Sequence, residues 1–182
     1  AILATHISAA AGAMTWMFYE WIKFGKPTAL GSVTGMVAGL GTITPASGFV
    51  GPSGALVIGI IAGAVCFNAV IIIKQKFKID DSLDVFPVHG VGGICGTILV
   101  GFFASKELGI FSGQGGWSHE AIVISDQLQI QLTAVVATAA YTALATFVIL
   151  KIVDVVTGLR VHSQTETQGL DLDSHGETGY NL

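Results

Sequence analysis

The residues best suited to chemistry are concentrated in one short segment, Asp80–Gly90, which reads Asp-Asp-Ser-Leu-Asp-Val-Phe-Pro-Val-His-Gly. An imidazole can donate and accept a proton near neutral pH, so His89 is a candidate for handling a proton or a small polar substrate. Asp81 or Ser82 can cap a following helix, and Asp84 falls in its first turn, where the helix dipole favours an anion. For Asp84 we expect a structural role in capping or in an interhelical hydrogen bond.

The composition indicates that this segment belongs to a membrane protein. Of the 182 residues, 52% are hydrophobic and 11% are charged, whereas an average soluble domain has about 25% charged residues. The 8 basic and 12 acidic residues cannot cover the surface of a soluble globule of this size. A net charge of -4 without a run of Lys or Arg offers no binding surface for nucleic acid. We therefore predict an all-α, polytopic membrane protein whose solvent is the lipid bilayer.

The placement of the few charges predicts five membrane-spanning helices. Four long stretches contain no Asp, Glu, Lys or Arg, and a helix needs about 20 apolar residues to cross a bilayer. The longest of these stretches is interrupted by turn residues around Pro45 and Pro52, so it holds two spans. The predicted spans are about 2–23, 28–46, 54–74, 83–104 and 128–153. They form a membrane domain over about 1–156, followed by a solvated tail over about 157–182 without apolar periodicity.

The basic residues predict the orientation, because cytoplasmic loops retain Lys and Arg. With five alternating spans, all basic residues except Lys106 fall on one side of the membrane. The N-terminus is therefore expected outside and the tail in the cytoplasm. The chain starts apolar without a basic segment, so we expect no signal peptide.

The depth of His89 supports a functional role. Seven residues from Ser82 carry the imidazole about 10 Å into the fourth span. An ionisable group is costly there and suggests function, although a hydrogen bond to a neighbouring helix is the alternative. Glycines at four-residue spacing predict tight helix contacts, with a glycine-lined face beside a narrow pore as the alternative. They are Gly31, Gly35, Gly39, Gly59, Gly63, Gly92 and Gly96.

The remaining polar and aromatic residues carry fewer predictions. There is no nucleophile elbow, phosphate loop or metal-type spacing, so we expect no enzyme, no metal and no cofactor. Cys66 and Cys95 lie in apolar stretches and are predicted to be small core residues. His6 is expected to pack or to bridge a hydrogen bond. Three tryptophans near predicted span ends suggest interface belts: Trp16, Trp21 and Trp117.

The segment Asp84–Gly96 resembles the DVFGVHG signature of the ammonium transporter family (Amt/Mep, with the Rh proteins as relatives), with Pro87 where bacterial members often have Gly. Further similar segments occur in the family's order over essentially the whole chain. They are Glu20-Trp21, Gly25-Lys26-Pro27, Ile43–Ala46, Gly48–Gly51, Gly158–Val161, Gly169–Asp171 and Ser174–Glu177. The resemblance covers the seventh to eleventh of the family's eleven membrane helices and the cytoplasmic tail.

This resemblance implies that ammonium or ammonia crosses a hydrophobic pore beside a pair of histidines, of which His89 would be the second. The first would come from the N-terminal half, on the same or a separate chain. Val85, one turn before His89, is the best candidate to line the pore on the same face. Thr34 and Thr44 are candidates for the inner half of the pore, with a hydrogen bond to their own helix as the alternative.

The resemblance also implies a homotrimer in the plasma (inner) membrane and a regulatory tail that can dock a PII-type signalling protein. The tail residues that match the family are Arg160, Asp171, His175, Gly176 and Glu177. Their alternative is simple exposure to solvent. Two other functions remain open for the whole chain: an ammonium sensor acting through a cytoplasmic partner, and a structural membrane subunit without a pore.

Overall fold

A computed structural model of the chain describes residues 1–105 and 123–179. Lys106 and Trp117 lie outside these residues. The described residues fall into two compact units, Ala1–Val135 and Val136–Leu182. The α-helices are α1 (Ile2–Phe24), α2 (Ala29–Ile43), α3 (Pro52–Ile71), α4 (Gly92–Phe103), α5 (Ile124–Val156) and α6 (Ser163–Gln168). Within the described residues, three π-helical turns accompany them: π1 (Ile72–Lys76) continues α3, π2 (Phe86–Val91) leads into α4, and π3 (Asp171–His175) follows α6.

Helices lie at the five predicted positions, but their ends differ from the predicted ones. α2 stops at Ile43 because the next residues turn, with the Ala46 N–H donating to the Ile43 carbonyl at 2.8 Å. The fourth helical stretch begins at Phe86, and its first turn is π-helical. Among the described residues, three stretches are long and apolar enough to cross a bilayer: Pro52–Lys76, Phe86–Phe103 and Ile124–Val156. α2 is apolar but shorter.

In the first unit, α1 packs against both α2 and α3, and α4 packs against α2 and α3. The predicted tight glycine contacts are confirmed. A Cβ atom at any of the seven glycines would lie within 3.0 Å of an atom of another helix. On α2 and α3 those atoms belong to α1, whereas on α4 they include Thr42 of α2. The absence of side chains therefore lets these helices approach at backbone distance, which is how helices attract one another in lipid.

Aromatic side chains also contribute to the contact between α1 and α3. Trp16 is 4% exposed and meets the Phe67 ring edge-on, with centroids 5.3 Å apart. The expectation that Trp16 belongs to an interface belt is therefore wrong, because its side chain is in the core rather than at the surface. Trp21 is exposed, as such a belt requires. Cys66 is fully buried, and Cys95 is partly buried.

The second unit contains the end of α5, α6 and π3. Two glycines with positive φ end its short helical pieces: Gly169 with φ 96° follows α6, and Gly176 with φ 66° follows π3. The Gly176 N–H donates to the Leu172 carbonyl at 3.1 Å, which closes the last turn. The tail thus has defined turns, although few of its side chains are shielded from solvent.

Candidate functional site

The start of the fourth helical stretch is fixed by Asp81. Its carboxylate accepts hydrogen bonds from the Val85 N–H at 2.9 Å and the Phe86 N–H at 2.8 Å. These amides have no partner within the helix, so the carboxylate satisfies them in the way an N-cap does. The two bonds favour the charged carboxylate, and the N–H groups of Phe86 and Val85 therefore lower the pKa of Asp81 below its ordinary value.

The Asp84 side chain bonds to another helical segment and does not cap its own, the second of the two structural roles considered for it. Its carboxylate oxygen Oδ1 lies 2.8 Å from Nζ of Lys74, which belongs to π1. Its backbone has φ 55°, in the left-handed region that few residues other than Gly adopt. Its carbonyl accepts the Val88 N–H at 3.0 Å. Asp81 therefore caps the helix, while Asp84 links its start to the end of the preceding helix.

His89 lies within π2, and its side chain is exposed in this chain. Its ring makes no hydrogen bond to any residue that the structure describes. α2 passes close to the ring at Gly41, where a Cβ atom would lie 3.9 Å from Nδ1 of His89 and 3.7 Å from the Val88 carbonyl oxygen. π-Helical turns are rare and occur frequently at functional sites. The imidazole therefore lies on a face that this chain leaves exposed, next to a position of α2 where Gly41 has no side chain.

The neighbours of His89 divide between the open face and the core. Val85 is 52% exposed and Phe86 is 58% exposed. Pro87 and Val88 are buried, and Val88 packs with Trp16 and Cys66 in the core. Val85 therefore shares with His89 the side of the segment that this chain leaves uncovered.

Thr34 and Thr44 do not lie together. The Thr34 hydroxyl donates to the Leu30 carbonyl at 2.9 Å, and the Thr44 hydroxyl donates to the Leu40 carbonyl at 2.7 Å. Each hydroxyl thus bonds to its own helix, the alternative considered for it. Ten residues of helix also separate the two by about 15 Å. The two hydroxyls therefore lie at different depths along the chain's second helix.

A cavity of about 320 Å³, with a mostly apolar lining that includes several charged side chains, lies where α1, α2 and α3 meet the start of the fourth helical stretch. Thr34 and Asp84 line it, together with Lys74 and Glu20. Glu20 is only 8% exposed, and its carboxylate accepts the Thr28 N–H at 2.7 Å and the Thr28 hydroxyl at 3.1 Å. The cavity therefore brings two of the predicted site residues together, apart from His89 and Val85, which do not line it.

The predicted tail residues belong to the second unit. Arg160 approaches Glu166 at 3.5 Å, but both side chains are largely exposed, so the pair contributes little to stability. Asp171 and His175 begin and end π3, and Gly176 and Glu177 follow it. The Glu177 N–H donates to the Asp171 carbonyl at 3.2 Å. His6 uses Nδ1 to donate to the Ile2 carbonyl at 3.1 Å, a bond within its own helix.

Sequence reasoning missed three residues near the site: Lys74, Gly41 and Glu20. Lys74 was visible only as one of the basic residues that set the orientation, and its partner lies ten residues later. Gly41 falls outside the four-residue glycine spacing. Glu20 is a carboxylate within the predicted first span, and its depth could have identified it. Within residues 1–105 and 123–179, no group of three His, Cys, Asp or Glu side chains could hold a metal ion.

The comparisons with known proteins agree with one another. The sequence model of the Ammonium Transporter Family matches residues 1–180. The chain belongs to the ammonium transporter family. It is 44% identical over 180 residues to the ammonium transporter of Bacillus subtilis, covering 99% of this chain and 44% of that protein. It is 45% identical to ammonium transporter Amt1 of Archaeoglobus fulgidus, with the same two shares.

The solved structure of the Sensor Amt Protein is similar over 96% of this chain and 41% of that one, with a TM-score of 0.82 and 29% identity. The fold is therefore that of an ammonium transporter family membrane protein. The chain spans less than half the length of the curated relatives it matches. The open face that carries His89 and Val85 thus belongs to part of an ammonium transporter fold.

Proposed function

We propose that this chain forms the C-terminal half of an ammonium transporter, in which His89 lines the conduit for ammonium or ammonia. The family match over residues 1–180 supports this proposal, as does the share of less than half that the chain covers in its curated relatives. The N-terminal half, on the same chain or a separate one, then covers the open face and supplies the first imidazole of the pair.

The chemistry of the substrate explains why an imidazole suits such a conduit. Moving ammonium into a low-dielectric medium is costly unless donors and acceptors replace its water, whereas neutral ammonia avoids most of this penalty. A neutral imidazole offers one donor and one acceptor without a fixed charge. Two imidazoles in contact can share one proton and titrate as a pair. His89 therefore provides a polar contact in an otherwise apolar path, with Val85 beside it.

The observation that carries this proposal is the contrast between His89 and polar side chains in the neighbouring helices α1 and α3. The Ser8 hydroxyl donates to the Gly39 carbonyl at 2.9 Å, and the Asn68 amide donates to the Ala64 carbonyl at 2.8 Å. The His89 ring has no such bond to a described residue and stays exposed. Since a polar group without a partner is costly within a bilayer, a ring in this position requires a polar path or another polar group.

Uptake of methylammonium into vesicles tests the proposal. Vesicles would contain this chain with and without a polypeptide that supplies the N-terminal half. We expect uptake with both halves, and a changed flux or a changed selectivity over K⁺ in His89→Ala and His89→Asp. Unchanged flux and selectivity in both variants would remove His89 from the mechanism. No uptake in either preparation would exclude transport and leave the sensor and the structural subunit as the remaining functions.

The proposed transporter is a homotrimer in the plasma (inner) membrane, with the N-terminus outside and the tail in the cytoplasm. There the defined turns around π3 present Asp171, His175 and Glu177 to a neighbouring subunit or a PII-type protein. Crosslinking the native complex tests the trimer. Labelling single cysteines at residue 175 from either side of sealed vesicles tests the orientation, since a cytoplasmic tail reacts only from the inner side.

An ammonium sensor is the second candidate, and the similarity to the Sensor Amt Protein favours it. A sensor would bind ammonium at the same conduit and change the state of a cytoplasmic partner. The two functions differ in their dependence on flux. A partner response that persists in a His89 variant without measurable uptake would support the sensor, whereas a response that falls in proportion to uptake would support the transporter.

A further inference from the structure

One ion pair joins the two π-helical turns on either side of the connection between α3 and the fourth helical stretch. Lys74 lies in π1, and Asp84 lies two residues before π2. Their side chains meet at 2.8 Å, with 38% of the Lys74 side chain and 20% of the Asp84 side chain exposed. The pair is therefore shielded more than a typical surface ion pair, and it ties the end of one helix to the start of the next.

The backbone of Asp84 connects this ion pair to the helical segment that contains His89. Its φ of 55° is unfavourable for residues with a side chain, although Asp and Asn tolerate it better than most. Its carbonyl accepts the Val88 N–H four residues later, so Asp84 makes a backbone hydrogen bond to π2 from just before it. A side chain held by Lys74 keeps this residue in the left-handed conformation. The helical segment that contains His89 is thus bonded at its start to a residue that the ion pair holds.

The π-helical register decides where the His89 ring points. A π turn contains one residue more than an α turn, so its conversion to α-helix would rotate the side chains on one side of it by about 100° relative to those on the other. His89 is the fourth of the six residues in π2. In the π register its ring lies beside Gly41 of α2. A change of register would move the ring away from this position while the helix itself persisted.

We propose that Lys74 and Asp84 are positioning residues for His89, because their ion pair holds the π-helical register that directs the imidazole into the conduit. This inference rests on the proposed transport function and extends it to two residues that do not contact the substrate. Asp81 anchors the Val85 and Phe86 amides, and the ion pair fixes the residue between that anchor and the helix.

A flux experiment on the intact transporter tests the pair. Lys74→Met keeps the apolar stem and removes the charge, and Asp84→Asn keeps a residue that tolerates positive φ. We expect each to lower methylammonium uptake about tenfold, and the double variant to be no worse than the poorer single one, because coupled residues are not additive. Lys74→Arg should stay within about twofold of wild type, because Arg keeps the cation. Lys76→Met is the matched control in the same turn and should leave uptake unchanged.

The ¹⁵N resonances of the His89 ring provide a readout independent of transport, assigned by their loss in His89→Gln. We expect them to shift in Lys74→Met and Asp84→Asn, but to stay unchanged in Lys74→Arg and Lys76→Met. Reduced uptake without a shift would overturn positioning through His89. A shift without reduced uptake would overturn its link to flux. Absence of uptake in wild type would refute the transport function, while the resonances would still show whether the pair positions the ring.

Discussion

The glycine-packed contacts among α1, α2, α3 and α4 are held in place differently from the start of π2. Between the helices, Gly39 and Gly59 let the backbone of Ser8 approach so closely that no side chain fits. At the start of π2, single charged groups make the contacts: Asp81 holds two amides, and Lys74 holds Asp84. The first region is fixed by volume and the second by polar contacts. Substitutions should therefore unfold the first region but reorient the second.

The largest expected effect is at Gly96 of α4. A Cβ atom there would overlap the Thr42 carbonyl oxygen of α2, and a backbone atom cannot move aside as a flexible side chain can. We expect Gly96→Ala to lower the free energy of unfolding by about 3 kcal/mol, at the upper end of overpacking effects. Thermal unfolding in detergent measures this.

Gly93 is the matched control, one turn earlier in the same helix. A Cβ atom there meets nothing within 4 Å. Gly93→Ala should leave the free energy of unfolding unchanged or raise it by up to about 1 kcal/mol, because Ala favours the helix. If the two variants were equally stable, volume would not be what fixes these contacts.

The next largest effect is expected at Glu20, which is both closely packed and held by polar contacts. Its carboxylate is buried at a helix contact, yet it acts through hydrogen bonds to Thr28, the N-cap of α2. Glu20→Ala leaves the Thr28 N–H without its acceptor and should cost about 2 kcal/mol. Glu20→Gln keeps an acceptor oxygen and should lose less. Equal losses in the two variants, measured by thermal unfolding, would show that packing rather than hydrogen bonding is what Glu20 provides.

The sequence predicts the glycine-packed helix contacts well, which are called the volume-determined region below. Glycines at four-residue spacing, together with stretches free of charge, locate the five helices and identify which faces meet closely. Both signals depend on side-chain size and polarity, which can be read from the residue types. Trp16 shows where this reasoning ends: its position near a predicted span end suggested the interface, but its side chain packs against Phe67. The partner across a contact cannot be read from one helix alone.

Local sequence could not predict the geometry at the start of π2. Asp81, Ser82 and Asp84 are all acceptable helix caps by residue type, and only the backbone conformation distinguishes them. With the positive φ of Asp84 and the extra residue in π2, the Asp81 carboxylate bonds to the first amides of the helix and the Asp84 side chain contacts Lys74. Neither feature has a residue signature here. The sequence thus predicted His89, Val85 and Asp84 as candidates, but neither Lys74, Gly41 and Glu20 beside them nor the arrangement of these residues.

A smaller effect, dependent on pH, is expected at Asp81. Because its hydrogen bonds lower its pKa in the folded state, its contribution to stability is complete above its ordinary pKa of 3.8 and is lost as the pH falls through the lowered value. Asp81→Ala should therefore be less stable than wild type at neutral pH, and the difference should shrink below the ordinary pKa. Asp80→Ala, the neighbouring control, should match wild type throughout thermal unfolding measured from neutral to acid pH. A difference independent of pH would contradict this role.

A still smaller loss is expected at Ser8, where a side-chain hydrogen bond lies within the volume-determined region. The buried Ser8 hydroxyl donates to the Gly39 carbonyl of α2. Hydrogen bonds between membrane helices contribute about 0.6 kcal/mol on average, so Ser8→Ala should lower the free energy of unfolding by about that amount. Ser32→Ala removes a hydroxyl that bonds to its own helix and should have no effect. A loss at Ser8 comparable with that at Gly96 would show that hydrogen bonds, not volume, hold α1 against α2.

The smallest effect on stability is expected at the residue on which the proposed function depends most. His89 is exposed in this chain, and no described residue bonds to its ring, so His89→Ala should change the free energy of unfolding of the isolated chain by no more than about 0.5 kcal/mol. Val88→Ala, at the adjacent buried position, is the matched control and should lose about 2 kcal/mol, because it empties part of the core. A comparable loss at His89 would mean that packing anchors the ring. In that case the imidazole would belong to the volume-determined region and would not be free to face a conduit.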